Sequence, residues 1–241
     1  MSFNSISARF MISAPLAIPV TYGLVRAACN PVVLLSALFL LLLSTPARTD
    51  PQPRIVAFGD SLTAGYGLEQ DDGLVPQLQR WLDAHGASGF EVVNSGLSGD
   101  TTAGARTRLA WTLVDGAEAV ILELGANDML RGIDPSETRA NLDAMLAKIA
   151  ARDLPVLLVG VKSVTNFGPN YKRDFEAIYP DLAARYGTLL DPNFFAGLIG
   201  GSKYFQEDGL HPNAAGIAVI VERLGPLVLE LIARIEPRIE Q

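Results

Sequence analysis

The sequence predicts an α/β protein in which one parallel sheet is covered by helices on both faces. Two observations carry that reading. From Arg54 onward, short apolar runs alternate with helix-length amphipathic segments, the order that a parallel sheet with helical crossovers requires. The runs are also nearly unbroken in apolar residues, as strands buried on both faces are, whereas a half-solvated strand would alternate.

Arg54 to Phe58 is the first predicted strand. Leu74, Leu78, Trp81 and Leu82 then recur at helical spacing, which makes Trp81 a core residue. Phe90 to Asn94 reads as the second strand and Thr101 to Leu113 as a helix capped by Asp100 or Thr101. Ala119 to Leu124 is the third strand and, being almost wholly apolar, a central one. The next helix carries the most start signals: Asp134 as cap, Pro135 at the first helical position and Glu137 three residues past the cap, with Leu142, Met145, Leu146 and Ile149 on one face. Val156 to Val161 is strand four, Tyr171 to Tyr186 a helix, Thr188 to Leu190 strand five and Pro212 to Leu224 the final helix. Pro226 is expected to kink or restart the chain before Leu227 to Ile235.

With 241 residues, 49% apolar and 19% charged, the chain can fill one substantial core, and a single domain over residues 54–241 is expected. Residues 1–47 read as a signal peptide that is removed. Their only charged residues are Arg9 and Arg26, followed by an apolar run from Val32 to Leu43 that is too short to span a bilayer as a helix. Small residues in Thr45-Pro-Ala47 place cleavage after Ala47, and Arg26 just before the run fits a translation start near Leu24 or Val25. Residues 48–53 form a Pro-rich linker. A secreted or periplasmic protein with no stable membrane anchor after processing is the expectation.

Cleavage removes the sole cysteine, Cys29, so the processed domain has no disulfide. It keeps 17 of the 19 Lys and Arg residues against all 26 Asp and Glu. That acidic balance argues against nucleic acid and against attraction to anionic membranes. A monomer is expected.

Four stretches hold the residues suited to chemistry: Gly59-Asp-Ser-Leu62, Asn94-Ser-Gly-Leu-Ser-Gly-Asp100, Gly125-Ala-Asn-Asp128 and Asp208-Gly-Leu-His-Pro-Asn213. The first three directly follow strands one, two and three, so in a parallel sheet they share one edge, where ligands bind at a reversal of strand order. A serine needs a base to become a nucleophile, and of two histidines His211 is the candidate for Ser61. Asp208, three residues earlier, can hold its imidazole. The Ser61 and Gly96 backbone N–H groups and the Asn127 amide can serve a developing oxyanion. Each stretch alone also reads as turn chemistry; the conjunction favours a site. His85, before Gly86 at a helix end, reads as a surface residue. Asp60 is expected to bond neighbouring loops and not substrate.

These blocks resemble the SGNH, or GDSL, hydrolase family, within it the secreted thioesterase I/lysophospholipase/arylesterase group. The likeness extends through Leu130-Arg-Gly-Ile-Asp-Pro135 and Glu176-Ala-Ile-Tyr-Pro180. It implies a three-layer α/β/α sandwich with five parallel strands in flavodoxin-like order. It also implies a Ser61–His211–Asp208 triad, oxyanion donors at Ser61, Gly96 and Asn127, no metal or cofactor, and a small-molecule or lipid acyl ester as substrate. By the same resemblance, Asn166, Gly168, Pro169 and Tyr171 lie in a loop that lines the acyl chain. Ala126, where the group often has glycine, and Lys162-Ser-Val-Thr165 depart from its pattern.

Two rivals are weighed. A carbohydrate O-acetyl esterase uses the same four blocks. A non-catalytic nucleotide- or phosphate-binding domain is disfavoured, because the chain has no Gly-x-Gly-x-x-Gly, no Gly-Lys-Ser/Thr, and Asn94 where a ribose-binding acid would stand.

Overall fold

The computed structural model describes residues 52–113, 116–199 and 201–235. The signal peptide, its cleavage point and the first part of the linker lie outside the described residues, as does the chain beyond Ile235. Strands β1 (Arg54–Gly59), β2 (Glu91–Gly96), β3 (Ala117–Glu123), β4 (Val156–Val159) and β5 (Leu189–Asp191) form one parallel sheet in the order β2-β1-β3-β4-β5. The helices are α1 (Ser61–Ala64), α2 (Leu74–Ala84), α3 (Thr102–Thr112), α4 (Ala126–Leu130), α5 (Pro135–Ala150), α6 (Gly168–Glu176), α7 (Ile178–Tyr186) and α8 (Ala214–Ala233). Right-handed crossovers from this strand order put α2 and α8 together on one face and α3, α5 and α7 on the other. The result is the three-layer α/β/α sandwich, with the core of Ile55, Phe58, Val120, Leu122, Leu157 and Leu158 in the sheet.

Register sets up the site. Gly59 pairs with Gly96 on one side and with Glu123 on the other, so the carboxyl ends of β1, β2 and β3 are level. Strand order reverses between β1 and β3, which makes that edge the binding crevice of this topology.

Two helical expectations change. The segment read as one helix to Tyr186 is two, α6 and α7, separated at Ala177. Pro180 has no N–H to bond the Glu176 carbonyl, and its ring crowds that oxygen, so the turn before it cannot continue unbroken. Pro226, by contrast, sits inside α8 without ending it. The interior proline costs about 3 kcal/mol. Beyond it Val228, Leu231 and Ile232 are buried on the same face as Ile217, Ile220 and Leu224, and each buried side chain contributes about 1.5–3 kcal/mol. Packing outweighs the break. Trp81 is only partly buried: its indole lies against Gly225, its Nε1–H donates to Glu222, and the exposed His85 stacks on it at 3.7 Å. Among the described residues no helix is long and apolar enough to cross a membrane.

Candidate active site

The turn after β1 is tight. A Cβ on Gly59 would lie 2.0 Å from Thr63 Oγ1 and 2.7 Å from the Glu123 carboxyl, so only glycine lets the strand pass directly into α1. Asp60 caps that short helix, its Oδ1 accepting from Leu62 N at 3.0 Å. Ser61 therefore starts a helix, its N–H has no partner among the described residues, and its side chain faces the cleft.

His211 arrives from the far end of the chain on a loop that is tied down several times. The Gln206 amide donates to the carbonyls of Tyr66 and Pro212, and Asn213 caps α8 through Gly216 N while its amide holds Lys203 and Phe205 carbonyls. The ring of Tyr66 backs the imidazole at 4.7 Å. His211 Nε2 lies 2.9 Å from Ser61 Oγ, and His211 Nδ1 lies 2.6 Å from Asp208 Oδ2. An ionised carboxylate can only accept, so the imidazole carries its proton on Nδ1 and offers the Nε2 lone pair to the serine.

Asp208 also accepts from the backbone N–H groups of His211 and Leu210 through its other oxygen. Those bonds, the His211 N–H first, pull its pKa down to about 2. It remains ionised wherever a neutral imidazole exists.

The donor side of the site is organised by Arg108. Its guanidinium lies over the Phe58 ring at 4.0 Å and donates to Gly59 O, Ser95 O and the Asp100 carboxylate, all at 2.7–2.8 Å. One side chain thereby ties the ends of β1 and β2 to the loop that follows.

Of the predicted oxyanion donors, Asn127 stands beside Ser61, in the first turn of α4, with one amide hydrogen given to Asp60 Oδ2 at 3.1 Å and the other available to the cleft. Gly96 stands elsewhere. Its N–H donates to Asn94 Oδ1 at 2.9 Å, and a Cβ there would strike Ala64 N at 2.3 Å. This glycine permits the close crossing of β2 and α1. The cleft is instead lined by Gly99, which has φ +81 and an N–H that no described residue accepts, while its carbonyl holds Arg131. The sequence signal was present in Ser-Gly-Asp-Thr101, directly before the Thr101 cap of α3.

The cleft around Ser61 and His211 has a volume of about 580 Å³. Its apolar wall comes from Tyr66, Met129, Leu130, Val164, Phe195, Phe205 and Leu210, most of which sequence reasoning did not single out. Asn166, Gly168, Pro169 and Tyr171 are not part of it. After Val164 the chain turns away into α6, where the Tyr171 hydroxyl donates to Ile133 O and its ring packs between Phe167 and Phe175. Lys162 and Val164 are what this stretch contributes. A larger hollow of about 730 Å³ lies beside β2 and α2, but none of its lining residues pairs a nucleophile with a base. Among the described residues no group of three or more His, Cys, Asp or Glu is placed to hold a metal ion.

A hydroxyl, an imidazole and a carboxylate in line, with N–H donors on the other side of the hydroxyl, make up the working arrangement of a serine hydrolase. Residues 57–219 match the model of the GDSL-like Lipase/Acylhydrolase family. The chain belongs to that family and is an ester hydrolase of the SGNH type. It is 37% identical over 197 residues to Esterase TesA of Pseudomonas aeruginosa, covering 81% of this chain and 95% of that protein. To the Thioesterase 1/protease 1/lysophospholipase L1 of Escherichia coli it is 34% identical over 196 residues, 79% of this chain and 92% of the other. Among solved structures, the SGNH-hydrolase family esterase AlinE4 superposes with a TM-score of 0.64 at 38% identity, covering 75% of this chain and 97% of that one.

Proposed function

We propose that the chain hydrolyses carboxylic esters and thioesters with a medium or long acyl group through an acyl-enzyme intermediate. The observation that carries this is the continuous path Asp208–His211–Ser61, at 2.6 and 2.9 Å, opening into an apolar cleft.

Ser61 Oγ attacks the acyl carbonyl as His211 Nε2 takes its proton, and the imidazolium that forms is stabilised by Asp208. The negative oxygen of the tetrahedral intermediate is received by the N–H groups of Ser61 and Gly99 and by the Asn127 amide. Collapse expels the alcohol or thiol, protonated by His211; water then repeats the sequence and releases the acid. No step calls on a metal or organic cofactor.

The names of the relatives, an esterase and a thioesterase/lysophospholipase, support this substrate range. Secretion to the periplasm or beyond, supported by the leader-like N-terminal sequence, and no nucleic-acid partner, supported by the acidic balance, complete the reading together with a monomeric state. A hydrolysis profile across acyl-CoA, lysophospholipid and p-nitrophenyl esters of increasing length tests it. Activity rising beyond the acetyl ester supports the proposal; activity confined to acetyl esters would favour the carbohydrate O-acetyl esterase.

A further inference from the structure

Directly beneath Ser61 lie two carboxyl groups that the reaction does not use. Asp60 is 0% and Glu123 1% exposed. Glu123 Oε2 accepts from Thr63 Oγ1 at 2.9 Å, but its Oε1 has no hydrogen-bond partner among the described residues, and the Asp60 carboxyl adjoins it. The Asp60 backbone N–H also lies against the Glu123 carboxyl, but with Thr63 it is too little to hold two ionised carboxylates in contact in a dry interior while one oxygen makes no full hydrogen bond among the described residues. A proton on Oε1 removes both faults at once, since the orphaned acceptor becomes a donor that faces Asp60.

We propose that Glu123 is a neutral acid that hydrogen-bonds the Asp60 carboxylate, and that the pair is the positioning device for the Asn127 amide. Asp60 Oδ2 takes one hydrogen of that amide and thereby aims the other at the oxyanion. Asp60 Oδ1 takes Leu62 N, so the same carboxylate fixes the start of α1 and with it the Ser61 N–H. Two of the three donors thus depend on one carboxylate, and Glu123 keeps that carboxylate in place without adding a second charge.

The other groups acting on the pair agree with this assignment. Burial raises both acids, most strongly Glu123, which the Asp60 charge also pushes up and which the bonds from Thr63 and the Asp60 N–H only partly bring back; the bonds from Leu62 and Asn127, and then His211, oppose the rise at Asp60, and Asp100 adds to it slightly. From α7 the Tyr179 hydroxyl, itself neutral, is committed to Leu124 O. No cation among these neighbours neutralises Glu123.

The proposal rests on the catalytic reading above, but its test does not. Infrared spectra of the intact protein at neutral pH should contain a protonated-carboxyl C=O band that shifts in D2O and moves when glutamate is carboxyl-labelled with 13C. Glu123 is the only buried glutamate among the described residues, which assigns the band without a variant. Absence of the band, or a band that labelled aspartate moves instead, overturns the proposal whether or not the protein is an esterase. Kinetics give the second arm. Glu123→Ala should lower kcat about 30- to 100-fold with KM changed less than threefold, and Glu123→Gln, whose amide can donate to Asp60 and accept from Thr63, should recover at least tenfold of that loss. Equal losses in the two variants would also refute it.

Discussion

Two aspartates flank the same hydroxyl–imidazole pair, and the structure treats them in opposite ways. Asp208 sits at the surface, receives two backbone N–H bonds and the imidazole, and is pulled down to about 2. Asp60 is sealed under the sheet edge, and burial pushes it up to about 6 despite its bonds to Leu62 and Asn127. One carboxylate is placed where charge is cheap to hold and useful to an imidazolium. The other is placed where it is costly, and its service is geometric. The difference teaches that the two halves of a hydrolase site, base and oxyanion donors, can each be anchored by a carboxylate with a different physical basis.

The contrast can be broken from either side. Asp208→Asn should lower kcat by about 10³- to 10⁴-fold on a thioester or aryl ester, because an amide can present its N–H to Nδ1 and force the wrong tautomer. Asp60→Asn should cost less, about 10²- to 10³-fold in kcat with a smaller change in KM, since one amide oxygen cannot serve both Leu62 and Asn127. A loss at Asp60 as large as that at Asp208 would mean it touches the reacting atoms.

The pH dependence separates them too. Asp208 stays ionised down to about 2, so it contributes nothing to the acid limb above that. Asp60 takes a proton as pH falls through about 6, so kcat should decline there in a step that is present in wild type and absent from the Asp60→Asn background.

The stability signs are also opposite. The folded pKa of Asp60 lies above its ordinary value, so its ionised form destabilises the fold above about pH 6, and that cost is relieved as pH falls toward 4. For Asp208, with its folded pKa depressed, a stabilising contribution is present above about pH 4 and is lost as pH falls toward 2. Solvent screening keeps the Asp208 contribution small. In thermal unfolding at pH 7, Asp208→Asn should therefore move Tm by less than about 2 °C. Glu123→Ala, which strands Thr63 Oγ1 and leaves a void, should cost about 1–3 kcal/mol.

The exposed half of the site was far more legible in the sequence than the buried half. Asp208 and His211 lie three residues apart in one turn, so their pairing needs only local geometry. The parallel sheet and its shared edge followed from apolar runs, the strand order from the family resemblance, and together they put Ser61 and Asn127 at one edge, where both line the cleft. Gly96 and Gly99 are three residues apart in one loop, and which of them faces the cleft depends on how closely β2 passes α1, a tertiary contact that no local pattern encodes. Glu123 read as a lone interruption in an apolar strand; its partner, 63 positions earlier, becomes its neighbour only through the β1–β3 register. Pro226 failed as a helix breaker for a related reason, since the burial that overrides it comes from the sheet and α2.

The central claim is that Ser61 is activated by His211. Treating the protein with a serine-reactive fluorophosphonate and mapping the adduct tests this most directly. One adduct per chain, on Ser61, formed in wild type and suppressed in His211→Ala, is the predicted result. An adduct on another residue, or equal labelling of Ser61 without the imidazole, would contradict it.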